Sequence, residues 1–576
     1  MYPGTIFKWH DHSGIQTTTT SVADSTAPLF FQVFSSDKGT EELTEYSSSS
    51  AFDAMYGSMD FARHGQAAIQ AKRIIDAGGR LLVKRVVADD STLANVVLIA
   101  NVVPANNGVT VTWEAQSIAG CKTFDEVKTA AQALLTDGKY PVFVYTDNGR
   151  GVSNKSVKLT PDYATSRSVG KMFYTLSVYE GTTIAEQVTI AVNPNTNYGN
   201  VSYRLDKFTN VQISGEVLED AFNAYAQKLA DELAIDLDTI AYDDIVFGYT
   251  TKGEAIPNFT LDAEGVDLDS DNGVAFAEGD NGAFGDAPIG TEALTAALVE
   301  VFADENGDHD EVFDVDTYKI AAICDANYPD EVKKAIFDWV TFRQDCMFFR
   351  DYGLGLTTFL QITARHDDFI DQRNYFVSDF ATSYLVTDPI SRKNIEVTMM
   401  YDFAPLLVDH IANRANAPLA GTANSFILES AIKGTINFTP VITPKSNQKQ
   451  AMDDIRVNYA IFEGNQCVVQ STYTAQDANT QLSYSCNVLG IQRVCRAVRE
   501  ACPKQRYSLS TGNDLQSYAK VVEDTLANYR SDFSTLNFIY TQDTLRVQQK
   551  IFYASIEFAF LGWAQTEIFD IYAIND

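Results

Sequence analysis

The stretch YKIAAICDANYPDEVKKAIFDWVTFRQDCMFF, residues 318–349, decides the fold class. Residues 318–324 form an apolar run that reads as a strand, and 346–349 form another. Between them the spacing predicts a helix over 329–343, with Pro329 suited to its first turn, where no amide donor is needed. Strand, helix, strand is the unit of a parallel α/β sheet. The same rhythm continues outward. Towards the C-terminus the pattern predicts strands over 357–362 and 394–400, with helices over 367–384 and 406–414. Two more helices (490–502, 514–530) and two strands (546–560, 567–574) follow. Towards the N-terminus, 29–34 reads as a buried strand. A helical pattern runs from Phe52 to Ile75, stops at Gly78-Gly79, and gives way to a strand over 81–87. Between these α/β parts, residues 96–213 alternate short β-branched or aromatic runs with Asn/Gly turns. That spacing suggests a β-sandwich or small barrel with one helix near 124–135. A clear helix follows over 217–233, and residues 1–27 look like an extended arm.

A chain of 576 residues exceeds the span of one hydrophobic core, and length alone sets a prior of about three to four domains. Its 45% hydrophobic content excludes global disorder. The net charge of -33 would repel a phosphate backbone, so general nucleic-acid binding is excluded. The charge is local: residues 231–330 hold 26 acids against Lys252 and Lys319, a solvated acidic surface. Seven cysteines at 121, 324, 346, 467, 486, 495 and 502 show no metal-ligand spacing and read as reduced thiols, hence synthesis in the cytoplasm. The opening MYPGTIFKWHDH lacks the pattern of a signal peptide, and the longest apolar stretch, 551–563, is too short to span a bilayer. No membrane insertion is expected.

Four motifs carry candidate chemistry. DLDSDNGVAFAE, 267–278, places Asp267, Asp269, Asp271 and Glu278 at calcium-loop positions, but the sharp turn falls on Asn272 with Gly273 one residue late. His10 and His12 would share one face of a strand, without a third ligand. Asp325, His366 and Gly421-Thr422-Ala423 echo the order of a subtilisin triad. Ala423 stands at the nucleophile position with Ser425 two residues on, and a methyl group cannot attack a carbonyl. No P-loop, HExxH or dinucleotide fingerprint is present, so neither enzymatic activity nor a cofactor is expected. Finally, Arg493, Arg496 and Arg499 lie along one side of a predicted helix, with Lys504 and Arg506 beyond. They form either a solvated face or a docking stripe for an acidic partner.

Several stretches together resemble the contractile-tail sheath proteins of myophages and related injection machines. FDAMYG (52–57) with AIQAKRIIDAGGRLLVKRVV (68–87) is similar to the family's N-terminal signature. GDNGAF (279–284) followed by 318–345 resembles its central segment, and NVLGIQRVCRAVREA (487–501) with GNDLQSYAKVVEDTL (512–526) its C-terminal helices.

The resemblance implies a multidomain α+β chain: an N-terminal arm (1–27), a segment joining the C-terminal domain (28–96) and a β-sandwich insertion (97–215). A subtilisin-like α/β domain (216–440), a C-terminal α/β domain (441–563) and a C-terminal strand arm (564–576) would follow. It implies a structural virion subunit, polymerising helically around an inner tube and contracting to drive that tube through a bacterial envelope for genome ejection. Its partners would be further copies, the tail tube, and baseplate and tail terminator proteins. The C-terminus alternates, with Ile568, Tyr572 and Ile574 on one face and Phe569 and Ile571 on the other, as a strand lent to a neighbour would. The docking stripe would then face the tube or an adjacent subunit. The rival readings are a cryptic hydrolase and an acidic calcium-binding surface protein.

Overall fold

The computed structural model describes residues 27–561, less 58, 106–107, 137, 163, 165–173, 191–196, 199–200, 203–210, 215–218, 235–258, 263–272, 304–309, 316, 502–511 and 541–553. At its centre lies a seven-stranded sheet. The strand order is Thr44–Tyr46, Arg80–Arg85, Leu29–Phe34, Ile320–Cys324, Met347–Asp351, Val377–Phe380 and Val457–Asn458. Every neighbouring pair is parallel except the first. LFFQVF, IAAIC and MFFRD are buried at every position, because helices cover both faces and leave no side for alternating polar residues. Asp330–Arg343 and Phe359–Asp368 make the crossovers, and Phe31, Phe302 and Trp339 meet at ring distances of 5.5–5.8 Å in the core.

The resemblance implied that segment 28–96 shares a sheet with the C-terminal domain. Segment 28–96 supplies three strands of this sheet, with Leu29–Phe34 pairing directly with Ile320–Cys324, and among the described residues of 441–563 Val457–Asn458 joins the same sheet at its far edge. The helical pattern expected over 52–75 is three helices, Ser49–Tyr56, Phe61–His64 and Gln66–Asp76. Gly57 and Gly65, at φ of 75° and 73°, turn the chain out of the helical region between them. The strand expected over 357–362 is the start of helix Phe359–Asp368: the Thr358 hydroxyl and the Gln361 side chain form a capping box that satisfies the first free amides. The helix expected over 367–384 is replaced by the strands Val377–Phe380 and Ser383–Thr387. Asp379 is drawn into the sheet by a buried pair with Arg350, at 2.8 and 3.1 Å.

A second unit is β-rich. Five strands run in the order Val211–Ser214, Lys139–Asp147, Asn95–Ala105, Gly108–Gln116 and Phe259–Asp262. Four more run Val274–Ala275, Lys155–Pro161, Tyr174–Glu180 and Thr183–Ile190, and the two sheets share one apolar core. Strands and packing carry past residue 215. Helix Glu219–Leu233 lays Tyr225 against Trp113 and Tyr140, at 6.5 and 5.8 Å between ring centres. Towards the C-terminus, helices Ser485–Ala501 and Gly512–Ala527 pack beside an antiparallel pair, Phe533–Tyr540 and Ala554–Phe560, around a separate small core of Val494, Val522, Leu526, Phe533 and Leu536.

Candidate functional site

Asp325, His366 and Ser425 share no hydrogen bond among the described residues. Asp325 follows strand Ile320–Cys324 and is fully buried, accepting from the Tyr328 and Asp351 amides at 3.0 and 3.2 Å and from Lys333 Nζ at 3.2 Å. His366 accepts at Nε2 from Arg373 Nη1, 2.9 Å away, because a guanidinium can only donate. Its proton therefore sits on Nδ1, facing the Tyr352 hydroxyl at 3.3 Å. Burial, then the Arg373 charge, hold this imidazole below its usual range. Ala423 and Ser425 lie exposed on a loop where Ser425 takes a φ of 63°. A nucleophile needs its base within hydrogen-bond reach, and Asp325 and His366 are each bound to other partners. A different Ser–His–Asp chain does exist. Ser35 Oγ lies 3.1 Å from His64 Nδ1, and His64 Nε2 lies 3.1 Å from Asp37. Ser35 is buried and Asp37 also holds Arg63 at 2.5 Å, so this chain ties the loop after Leu29–Phe34 to helix Phe61–His64.

That loop belongs to a joint between the central sheet and the β-rich unit. Arg85, at the end of strand Arg80–Arg85, is buried and donates to the carbonyls of Ser36 (3.1 and 3.0 Å), Gly39 (3.1 Å) and Arg150 (2.7 Å). Arg150 in turn grips Glu41, with Nη2 at 2.6 Å. Burial would raise the Glu41 carboxyl, but the Arg150 guanidinium outweighs it and keeps it below the usual carboxylate range. The backbones here approach closely. A Cβ on Gly149 would stand 2.0 Å from the Gly39 carbonyl oxygen, and one on Gly279 2.2 Å from that of Gly151. Segment 277–285 closes the joint: the Thr92 and Asn95 amides donate to the carbonyls of Asp280 and Ala277, and Asp90 accepts from the Ala283 amide at 2.8 Å. The motifs ending in Lys84-Arg85-Val86-Val87 and GDNGAF thus meet in space, as parts of one rigid connection.

The three arginines of helix Ser485–Ala501 find partners within the chain. Arg496 Nη1 donates to the Asp345 carbonyl at 3.0 Å, and Arg499 lies 3.4 Å from the Asp345 carboxylate. Buried Asp345 also takes a two-pronged contact from Arg343, at 3.0 Å on each oxygen. Arg493 reaches Asp532 at 3.5 Å and lies over the Tyr529 ring. The stripe anchors the C-terminal helix to the central layer. Of the acidic motif, Asp267, Asp269 and Asp271 lie outside the described residues. Glu278, at φ 64°, offers its backbone carbonyl to Thr92. Among the described residues no group of three or more His, Cys, Asp or Glu side chains could hold a metal, and six cysteines are free thiols. His10, His12, Lys504, Arg506 and the strand residues Ile568, Phe569, Ile571, Tyr572 and Ile574 also lie outside them.

One small sheet has only two strands among the described residues. Strands Phe533–Tyr540 and Ala554–Phe560 form a sheet of two, with Ile539 and Tyr540 exposed. Its inner face packs on the helices, while neither outer edge has a strand partner among the described residues. Two strands alone are marginal in water, and an open edge is a template for a third.

No protein-family model and no curated protein matches the chain. Solved structures do. A sheath tail protein from Listeria innocua matches over 93% of this chain and 96% of its own, at 7% identity and a TM-score of 0.51. The fold is that of a tail sheath protein. Weaker likenesses are a sheath tail protein from Desulfitobacterium hafniense (10% identity, 94% and 99% covered, TM-score 0.45) and the sheath complex of an extracellular contractile injection system in its contracted state (11%, 44% and 71%, 0.36).

In this sheath fold, two features escaped the reading of the sequence. Strand Phe533–Tyr540 was missed, although its run of Phe533, Leu536, Phe538 and Ile539 carried an apolar signal. The role of Arg85 carried none, because its partners lie 46 to 65 residues away.

Proposed function

We propose that the chain is the structural subunit of a contractile tail sheath, built as a helical polymer around an inner tube. A tail location and further copies of the chain as partners go with that reading, as do a tube protein inside and baseplate and terminator proteins at the ends. The observation that carries it is the sheath fold over 93% of the chain, joined to a two-stranded sheet whose outer edges have no strand partner among the described residues. In our reading a strand lent by a neighbouring copy, from residues 564–576, completes that sheet. A lent strand links subunits through backbone hydrogen bonds without fixing their relative angle, which a lattice needs if it slides between two states. The central parallel sheet would be the subtilisin-like part, kept for its shape, with Asp325 and His366 in packing roles and no catalysis. Electron microscopy of the purified chain tests this: hollow tubes are expected from the full chain and dispersed, folded particles from a chain ending at Leu561. Tubes from the shortened chain would remove the lent strand, and dispersed particles from both would remove the sheath reading.

A further inference from the structure

The carboxyl edge of the central sheet holds three charged groups where water does not reach. Asp325, Lys333 and Asp351 have side chains 0, 1 and 2% exposed. Lys333 Nζ lies 3.2 Å from Asp325 Oδ2, 2.9 Å from Asp351 Oδ1 and 2.7 Å from the Asp351 carbonyl. The site falls between strands Ile320–Cys324 and Met347–Asp351, next to the point where strand order reverses, the place where open α/β sheets usually bind ligands. Here side chains fill it. The Tyr328 hydroxyl donates to the Val33 carbonyl and accepts from Gln32, and the Gln70 amide donates to the carbonyls of Cys324 and Asp325.

Two carboxylates facing one ammonium leave an uncompensated negative charge if all three are ionised, and a buried unpaired charge costs several kcal/mol. The surroundings do not supply the missing cation. Strand Leu29–Phe34 and helix Gln66–Asp76 face the cluster with the uncharged amides of Gln32 and Gln70. The Cys324 thiol is kept neutral, pushed well up by burial and by Asp325. Arg365, which donates to the carbonyl of Tyr352 next to Asp351, is itself held by Asp330 at 2.6 Å. Each carboxylate accepts two backbone amides, Asp325 from Tyr328 and Asp351 at 3.0 and 3.2 Å and Asp351 from Asn327 and Gly353 at 3.2 and 2.9 Å. Asp351 lies the closer of the two to the ammonium.

We propose that the Asp325–Lys333–Asp351 cluster stores one proton on its carboxylates, and that losing it loosens the seam between strands Ile320–Cys324 and Met347–Asp351. The inference concerns the subunit alone and stands whether or not the chain forms a sheath. Burial first, and the Asp351 charge second, push the Asp325 carboxyl up to about 7. The native state then holds a proton that the unfolded chain, with its carboxyl near the ordinary value, has released. Stability from this site is full below about pH 4 and falls as pH rises to about 7, the unfolding constant growing about tenfold per pH unit before levelling off.

The test compares the full chain with Asp325→Asn by denaturant unfolding and by infrared titration of the protonated carboxyl band. From about pH 5 to about pH 8 the unfolding constant of the parent should rise about 100-fold relative to the variant. The parent should also show a protonated-carboxyl band that bleaches near neutrality and is missing from Asp325→Asn. Asp453, which burial raises to about 6, is common to both and cancels in the difference. Should Asp325→Asn fail to fold, Asp351→Asn replaces it, since one carboxylate facing one ammonium needs no stored proton and the band should again vanish. Parallel pH profiles for parent and variant, or a parent without a carboxyl band above about pH 6.5, would overturn the proposal.

Discussion

Replacing Arg85 by Met should unlock the joint without unfolding either unit it connects. Met fills much of the same volume but donates nothing, so the carbonyls of Ser36, Gly39 and Arg150 lose the guanidinium that satisfies them. A buried polar group left unpaired costs about 1–3 kcal/mol, which for three carbonyls is about 3–9 kcal/mol. Removing a desolvated cation offsets part of this, and the Arg150–Glu41 contact remains to hold the loops together. The net expectation is a loss of about 3–5 kcal/mol. Denaturant unfolding measures the total, and hydrogen exchange locates it. Amides of residues 35–41 and 147–153 should exchange faster, while strand Asn95–Ala105, held by its own core, stays protected. Arg85→Lys should recover only part of the loss, because an ammonium cannot reproduce the planar fork that reaches three carbonyls at once. A Met variant within about 1 kcal/mol of the parent, with exchange unchanged in both loops, would refute the assignment of Arg85 as the fastener.

Four further substitutions test the same geometry. Gly149→Ala should cost about 2 kcal/mol or more in chemical denaturation, because its Cβ would collide with the Gly39 carbonyl oxygen at 2.0 Å. Gly120→Ala, strained only by its φ of 78°, should cost about 1 kcal/mol. Asp345→Asn should destabilise by about 3–5 kcal/mol and raise hydrogen exchange in helix Ser485–Ala501, since it leaves the buried Arg343 without its carboxylate and frees Arg499. Burial lowers the His410 imidazole to about 4, so it stays neutral in the native state while the unfolded chain takes up a proton below its ordinary value. Stability from this site is complete above about pH 6.5 and is lost as pH falls towards about 4, by about 3 kcal/mol, a dependence that His410→Asn should remove from the pH profile.

Elements with strong local signals were legible. The six apolar-rich residues of Leu29–Phe34 and the helix Asp330–Arg343 announced themselves, the latter through Pro329 and its run of spaced apolar positions. Elements set by distant contacts were not. Thr357 to Ile362 reads locally as β-branched strand, yet the Thr358 side chain caps a helix. Residues 377–380 become strand by pairing with Met347–Asp351, tied there by the Arg350–Asp379 salt bridge, and 383–387 by pairing with 394–398, partners that a short local window does not contain. The site followed the same rule. Spacing aligned Arg493, Arg496 and Arg499 along one helix, but the hold of Asp345, about 150 residues earlier, on Arg496 and Arg499, and of Asp532 on Arg493, could not be read from that spacing. Two of the motifs that carried the family resemblance, 68–87 and 279–284, are likewise explained only in three dimensions, where Arg85 and segment 277–285 close one joint.

In the sheath reading, a neighbouring copy completes the strand pair Phe533–Tyr540/Ala554–Phe560. A helical reconstruction by electron cryomicroscopy of tubes assembled from the full chain would show that strand. The expected result is at least one strand from an adjacent subunit hydrogen-bonded along an edge of that pair, with its apolar residues on the side of Phe533 and Phe558. A tube in which the pair remains two-stranded, with subunits joined through other surfaces, would contradict it.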